Sequence, residues 1–210
     1  MSQIVSLYAC PLPAALPEVT NQDCTVATGN IIAIALQLRQ ASASFNTTSI
    51  KLAATWTPLL AAADATGIKL VNVQNFESTP GEAITEGGND QTTFRGRKKV
   101  KYMGFTDFTA MAEGVSHAYA KTLTEFTKFS SMPGQRSKLQ AYFLTDENYV
   151  LSAADFSGID IHAWLVGDVK KGGAFKLEDN YAISFSADYG WSFDAVSTLA
   201  SFDVSTLINA

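Results

Sequence analysis

LQAYFLTDENYVLSA, residues 139–153, is two apolar runs placed either side of a polar turn. Asp146, Glu147 and Asn148 supply the turn, because short polar side chains can bond their own backbone and tolerate tight bends. Leu139–Thr145 and Tyr149–Ala153 are rich in the branched and aromatic side chains that pack on a pleated surface. The pattern predicts a β-hairpin. The chain keeps this character further on. Ile159, Ile161, Ala163 and Leu165 alternate with Asp160, His162, Trp164 and Val166. Lys170-Lys171-Gly172-Gly173 supplies a turn, after which Tyr181, Ile183 and Phe185 alternate with Ala182, Ser184 and Ser186. Trp191–Ile208 fits strand and helix equally well.

Upstream of the hairpin the period changes. Phe108, Met111, Ala112, Val115, Tyr119, Leu123 and Phe126 recur at helical spacing, which predicts one main helix from Asp107 to about Phe129. Thr106 would cap it and Pro133-Gly134 would stop it, although Gly114 weakens its middle. Before it, Phe94–Tyr102 reads as a strand with Arg95, Arg97, Lys99 and Lys101 along one face. Residues 77–93 carry three glycines and one proline and predict a long loop, a length that tends to be functional or disordered. Ile68–Val73 reads as a strand. Thr57 and Pro58 predict the start of a short helix that Gly67 closes. Ile31–Arg39 reads as a strand covered on both faces, with Ile32, Ile34, Leu36 and Leu38 on one of them. Pro11, Pro13 and Pro17 predict an extended arm over residues 1–24.

These elements add up to a mainly β (α+β) chain of one domain, residues 1–210: a β-sandwich or barrel-like fold flanked by one main helix. Composition narrows what it does. Charged residues are only 17% of the 210, against roughly 25% on average, which favours a chain with partners over part of its surface. A net charge of −5 argues against a dedicated nucleic-acid binder. Met1–Pro17 lacks the basic start and unbroken apolar run of a signal peptide, so the expectation is a product made in the cytosol. Cys10 and Cys24 could pair in an oxidising compartment, but free thiols are the expectation.

No catalytic constellation stands out. Cys10, Cys24, His117 and His162 show none of the paired spacing of a zinc site. Asp155, Asp160, Asp168, Glu178, Asp179 and Asp188 fall at turns or polar strand faces, with no two marked as converging. The reading is a non-enzyme with no catalytic residue, cofactor or metal. The Arg95–Lys101 stripe fits a charge-protected edge strand or a contact with an acidic patch on a neighbouring subunit equally well, and fits DNA less well.

Three stretches carry a resemblance: ATWTPLLAAADATGIKLV (54–71), PGEAITEGGND (80–90) and GAFKLEDNYAISFSADYGWS (173–192). In this order they resemble virion structural proteins of tailed bacteriophages, most of all major tail tube proteins of phages infecting Bacteroidetes. The resemblance runs from about Ala54 onward and fails over Ala195–Ala210. It implies a virion tail protein, made in the host cytoplasm, whose subunits form rings, often hexamers, that stack into a tube. DNA would pass through the lumen without specific binding, and the partners would be further copies of the chain and other virion proteins, with no membrane. The arm and the long loop would reach the next ring. Gly81, Glu82, Gly87, Gly88, Asn89 and Asp90 in the loop, with Arg95, Arg97, Lys99 and Lys101, are the expected subunit contacts. The alternatives are a capsid decoration or head–tail adaptor protein, and, from another class, a hydrolase or a carbohydrate-binding β-sandwich using Trp164, Tyr189 and Trp191.

Overall fold

The computed structural model describes residues 29–40, 43–86, 99–112, 114–130, 137–170 and 180–208, apart from the side chains of residues 99 and 170. The expected arm, both cysteines, the Pro133-Gly134 stop and the turn at 171–173 lie outside the described residues, as do Glu178 and Asp179.

The chain runs β1 (Ile31–Leu38), a 3₁₀ turn (Ser49–Lys51), α1 (Ala53–Ala61), β2 (Ile68–Thr79), β3 (Ala83–Glu86), β4 (Lys99–Met103) and β5 (Thr106–Ala112). It continues with α2 (His117–Glu125), α3 (Thr127–Ser130), β6 (Leu139–Thr145), β7 (Tyr149–Ala153), β8 (Ile159–Lys170) and β9 (Asn180–Ala187). It then forms α4 (Trp191–Asp194), β10 (Ala195–Leu199) and α5 (Ser205–Ile208). The mainly β expectation is met. Six antiparallel strands in the order β1-β2-β5-β9-β8-β6 close into a barrel through the β1–β6 pairing. One edge of β6 is shared: Gln140 and Ala141 pair with β8, while Phe143 and Leu144 pair with β7. β7 therefore peels off the barrel and carries β10 as its outer neighbour.

Strand β1 shows why both faces of its sequence are apolar. Ile34 and Leu36 point into the barrel, with Val71, Phe108, Phe143, Trp164 and Phe185. Ala33 and Ala35 face a second core outside it, with Trp56, Tyr142 and Val204. A register shift between Ile31 and Ala33 puts Ile32 with the outer core, against the expected alternation. Trp56 is the pivot of that outer core. It stacks on Phe45 at 4.5 Å, meets Tyr142 edge-on at 5.6 Å, and donates its Nε1–H to the Ile50 carbonyl at 2.9 Å. Burying each such side chain contributes about 1.5–3 kcal/mol.

Three sequence expectations need correction. The long helix over 107–129 does not form: Thr106–Ala112 is strand β5, with Thr106, Phe108, Ala110 and Ala112 buried in alternation. Apolar residues at 108, 111, 112 and 115 satisfy a helical period, yet 108, 110 and 112 also satisfy a strand. The sheet offers β5 two neighbours, β2 and β9, whose ladders outweigh local spacing. Gly114, at φ 64°, turns the chain, and Ser116 caps α2 by accepting the Tyr119 N–H at 3.2 Å. Second, α1 begins at Ala53 with Pro58 inside it, and the Thr57 hydroxyl donates back to the Ala53 carbonyl at 3.0 Å instead of capping. Third, most of 77–86 is strand instead of loop, since β2 extends to Thr79 and Ala83–Glu86 forms β3, leaving only residues 80–82 between them.

β8 departs from its expected alternation as well. A register shift between His162 and Leu165, with Ala163 at φ 51°, rotates Trp164 into the barrel and leaves Leu165 exposed.

Candidate assembly surface

Between β2 and β5 the chain leaves the barrel and returns. Its exit and re-entry cross at Gly81 and Gly104, where the Gly104 N–H donates to the Glu82 carbonyl at 2.9 Å. A Cβ on Gly81 would lie 2.2 Å from the carbonyl oxygens of Gly104 and Phe105, so only glycine fits the crossing. Beyond this neck β3 and β4 pair with each other and with no other strand among the described residues. All four residues of β3 are exposed, as are Val100, Lys101 and Tyr102 of β4. Ile84 stands opposite Tyr102, and Thr85 opposite Val100, with a register shift that leaves Lys101 as the extra residue.

The expected contact residues divide accordingly. Gly81 and Glu82 form the neck, Lys99 lies opposite Glu86 in the ladder, and Lys101 projects at the bulge, which interrupts the expected basic alternation. Gly87, Gly88, Asn89, Asp90, Arg95 and Arg97 lie outside the described residues.

A second exposed cluster sits where β9 leads into α4 and β10. Phe105, just past the neck, packs its ring 5.4 Å from that of His162, whose Nε2 is 3.3 Å from Asp188 Oδ1. Tyr189 follows and meets Phe193 edge-on at 6.4 Å. Gly190, at φ 83°, turns the chain so that Trp191 packs inward on Phe108 and Phe143 while Phe193 stays 80% exposed. Of nine large apolar side chains exposed among the described residues, four belong to the hairpin and its base (Ile84, Val100, Tyr102, Phe105). Three more flank β10 (Tyr189, Phe193, Leu199), so the exposed apolar surface is concentrated instead of scattered. Sequence reasoning singled out only Tyr189 among these seven, and for sugar stacking. The 189–193 spacing of Tyr, Trp and Phe was the available signal, but which of the three points inward depends on Gly190.

Among the described residues, no two of the candidate carboxylates are bonded to one another. Asp160 is bound by Arg39 and accepts from Gln140 Nε2 at 3.0 Å. The Ser157 hydroxyl and N–H both donate to Asp155, holding its carboxyl below the usual carboxylate range. Asp155, Asp160 and Asp188 line one cleft with Tyr189 and Trp191, Asp155 held by Ser157 and Asp160 by Arg39 and Gln140. His117 sits apart from them, its Nδ1 3.3 Å from the Tyr181 hydroxyl. No group of three metal-ligating side chains occurs among the described residues. Trp164 is fully buried and Trp191 packs into the core, so Trp164, Tyr189 and Trp191 form no common platform for a sugar. No described helix is long and apolar enough to cross a membrane.

No protein-family profile matches the chain, and no curated protein does. Among solved structures, a type six secretion system protein is similar at 10% identity, over 74% of this chain and 79% of that one, with a TM-score of 0.29. A likeness this slight carries no argument about this chain.

Proposed function

We propose that this chain is a structural subunit that self-assembles into rings, and that the rings stack into a tube of the phage-tail kind with a channel for DNA. The observation that supports this reading is the hairpin. A two-stranded ribbon is marginal in water on its own, and this one shows apolar side chains to solvent along both strands. Such a ribbon is stabilised when a partner covers it. Among the described residues no strand pairs with the outer edge of β10, a liability that association removes. In this reading the chain works by the shape it builds and needs no active site.

Negative-stain electron microscopy of the purified protein tests it. Rings and filaments of stacked rings are the expected result. A monomer at high concentration would remove the assembly reading. A discrete oligomer that never forms filaments would favour a capsid decoration or head–tail adaptor role.

A further inference from the structure

The self-assembly proposed above leaves open which surfaces meet. We infer that the free edge of β10 in one copy receives β4 of a second copy, adding the β3–β4 hairpin to the outer sheet by strand addition. This inference rests on the assembly reading.

Backbone geometry fixes the edge. The Ala200 N–H donates to the Asn148 carbonyl at 2.8 Å, so even-numbered residues of β10 turn their backbone groups toward β7. Alternation along an antiparallel pair then turns the N–H and C=O groups of Ala195, Ser197 and Leu199 outward. Among the described residues β4 is likewise paired on one edge only, and both strands are five residues long. Each strand lacks what the other presents.

Side chains agree with the backbone. β10 is bracketed by Asp194 and Asp203, both exposed, while the charges of β4 are Lys99 and Lys101. Phe193, just ahead of β10, and Leu199, its last residue, are exposed, as are Val100 and Tyr102 of β4, so both strands offer apolar surface to a partner. The two surfaces differ, which makes the contact head-to-tail. Repeated head-to-tail contacts close into a ring when the rotation permits, and otherwise run on as a helix. A β10 edge pairing with its own copy would instead stop at a dimer and set Asp194 and Asp203 of one copy against those of the other.

Charge exchange tests the pairing, read as mass by sedimentation. Lys101→Glu alone and Asp194→Lys alone should each weaken self-association by about tenfold or more, since each sets like charges together. An equimolar mixture of the two variants should regain the wild-type mass, as should the double variant in one chain. Phe193→Asp, at a position 80% exposed and so safe for folding, should also dissociate the assembly. Wild-type rings that persist in all three single variants would overturn the pairing and leave assembly standing, as would charge variants that neither mixing nor combining rescues. Lys101→Glu and Asp194→Lys both at wild-type mass or above, with Phe193→Asp dissociated, would indicate β10 pairing with itself and overturn the proposal. A monomeric wild type would remove both proposals.

Discussion

The Trp164 indole donates its Nε1–H to the Leu123 carbonyl at 3.0 Å, tying the last turn of α2 to the barrel interior. The same residue's backbone N–H donates to the Ser130 hydroxyl at 2.9 Å, so α3 is held from the same point. Helices this short are not stable alone, and their order depends on such anchors. Trp164→Phe removes the indole donor and part of the buried ring together. The Leu123 carbonyl keeps its bond from the Phe126 N–H, which limits the loss. The expected cost is about 1–3 kcal/mol, measured as a lower midpoint in urea with an unchanged slope.

Ala163 makes the turn that points Trp164 inward, and it does so in the left-handed region at φ 51°. A side chain with a Cβ is strained there by roughly 1–2 kcal/mol, and the residue is exposed, so it has little packing to lose. Ala163→Gly should therefore raise stability by up to about 1 kcal/mol, while Ala163→Val should lower it by a similar or larger amount. Thermal unfolding of the two variants beside the parent gives the sign. A destabilised glycine variant would mean that the bend is not strained.

These two residues also show what the sequence could reveal and what it could not. The β6–β7 hairpin was legible because its turn chemistry and its strand composition agree, and β9 because its alternation is unbroken and matches its burial. Trp164 falls by period-two counting on the face opposite Ile159 and Ile161, because that counting assumes a strand without bulges. β5 read as helix, because Phe108, Met111, Ala112 and Val115 fit a helical period while Phe108, Ala110 and Ala112 fit a strand, and only the neighbouring strands decide between them. The hairpin neck was marked by two glycines, but their meaning lies in a crossing of segments more than twenty residues apart. Exposure of Phe193 or Tyr102 is a property of what fails to cover them, and no local pattern encodes that.

Asp155 gives the chain a defined acid response. Hydrogen bonds from Ser157, the side chain first, hold the folded-state pKa of Asp155 below its ordinary value, with a smaller contribution from Arg39. A carboxyl whose pKa is depressed by folding adds stability above its unfolded pKa, near 4, and loses it as pH falls through the lower folded value. Ser157→Ala should narrow the stability gap between pH 7 and pH 3. Denaturant melts of parent and variant at the two pH values check this, and equal pH dependence in both would reject it.

The hairpin neck predicts that the barrel is independent of what lies beyond it. The backbone of Gly104 passes so near that of Gly81 that a Cβ on Gly104 would be 3.5 Å from the Gly81 Cα. Excising residues 82–103 with a two-glycine bridge therefore asks little rearrangement of β2 or β5, whose ladders with β1 and β9 remain complete. The shortened chain should unfold within a few degrees of the parent's midpoint. It should be monomeric, because the segment proposed to reach the neighbouring copy is gone. Gly81→Ala is the complementary case: it keeps the hairpin but sets a methyl against two carbonyl oxygens, so it should splay the neck and reduce assembly while the barrel stays folded. Sedimentation with near-ultraviolet circular dichroism separates the two effects. An excised chain that still forms rings would show that the hairpin is not the contact.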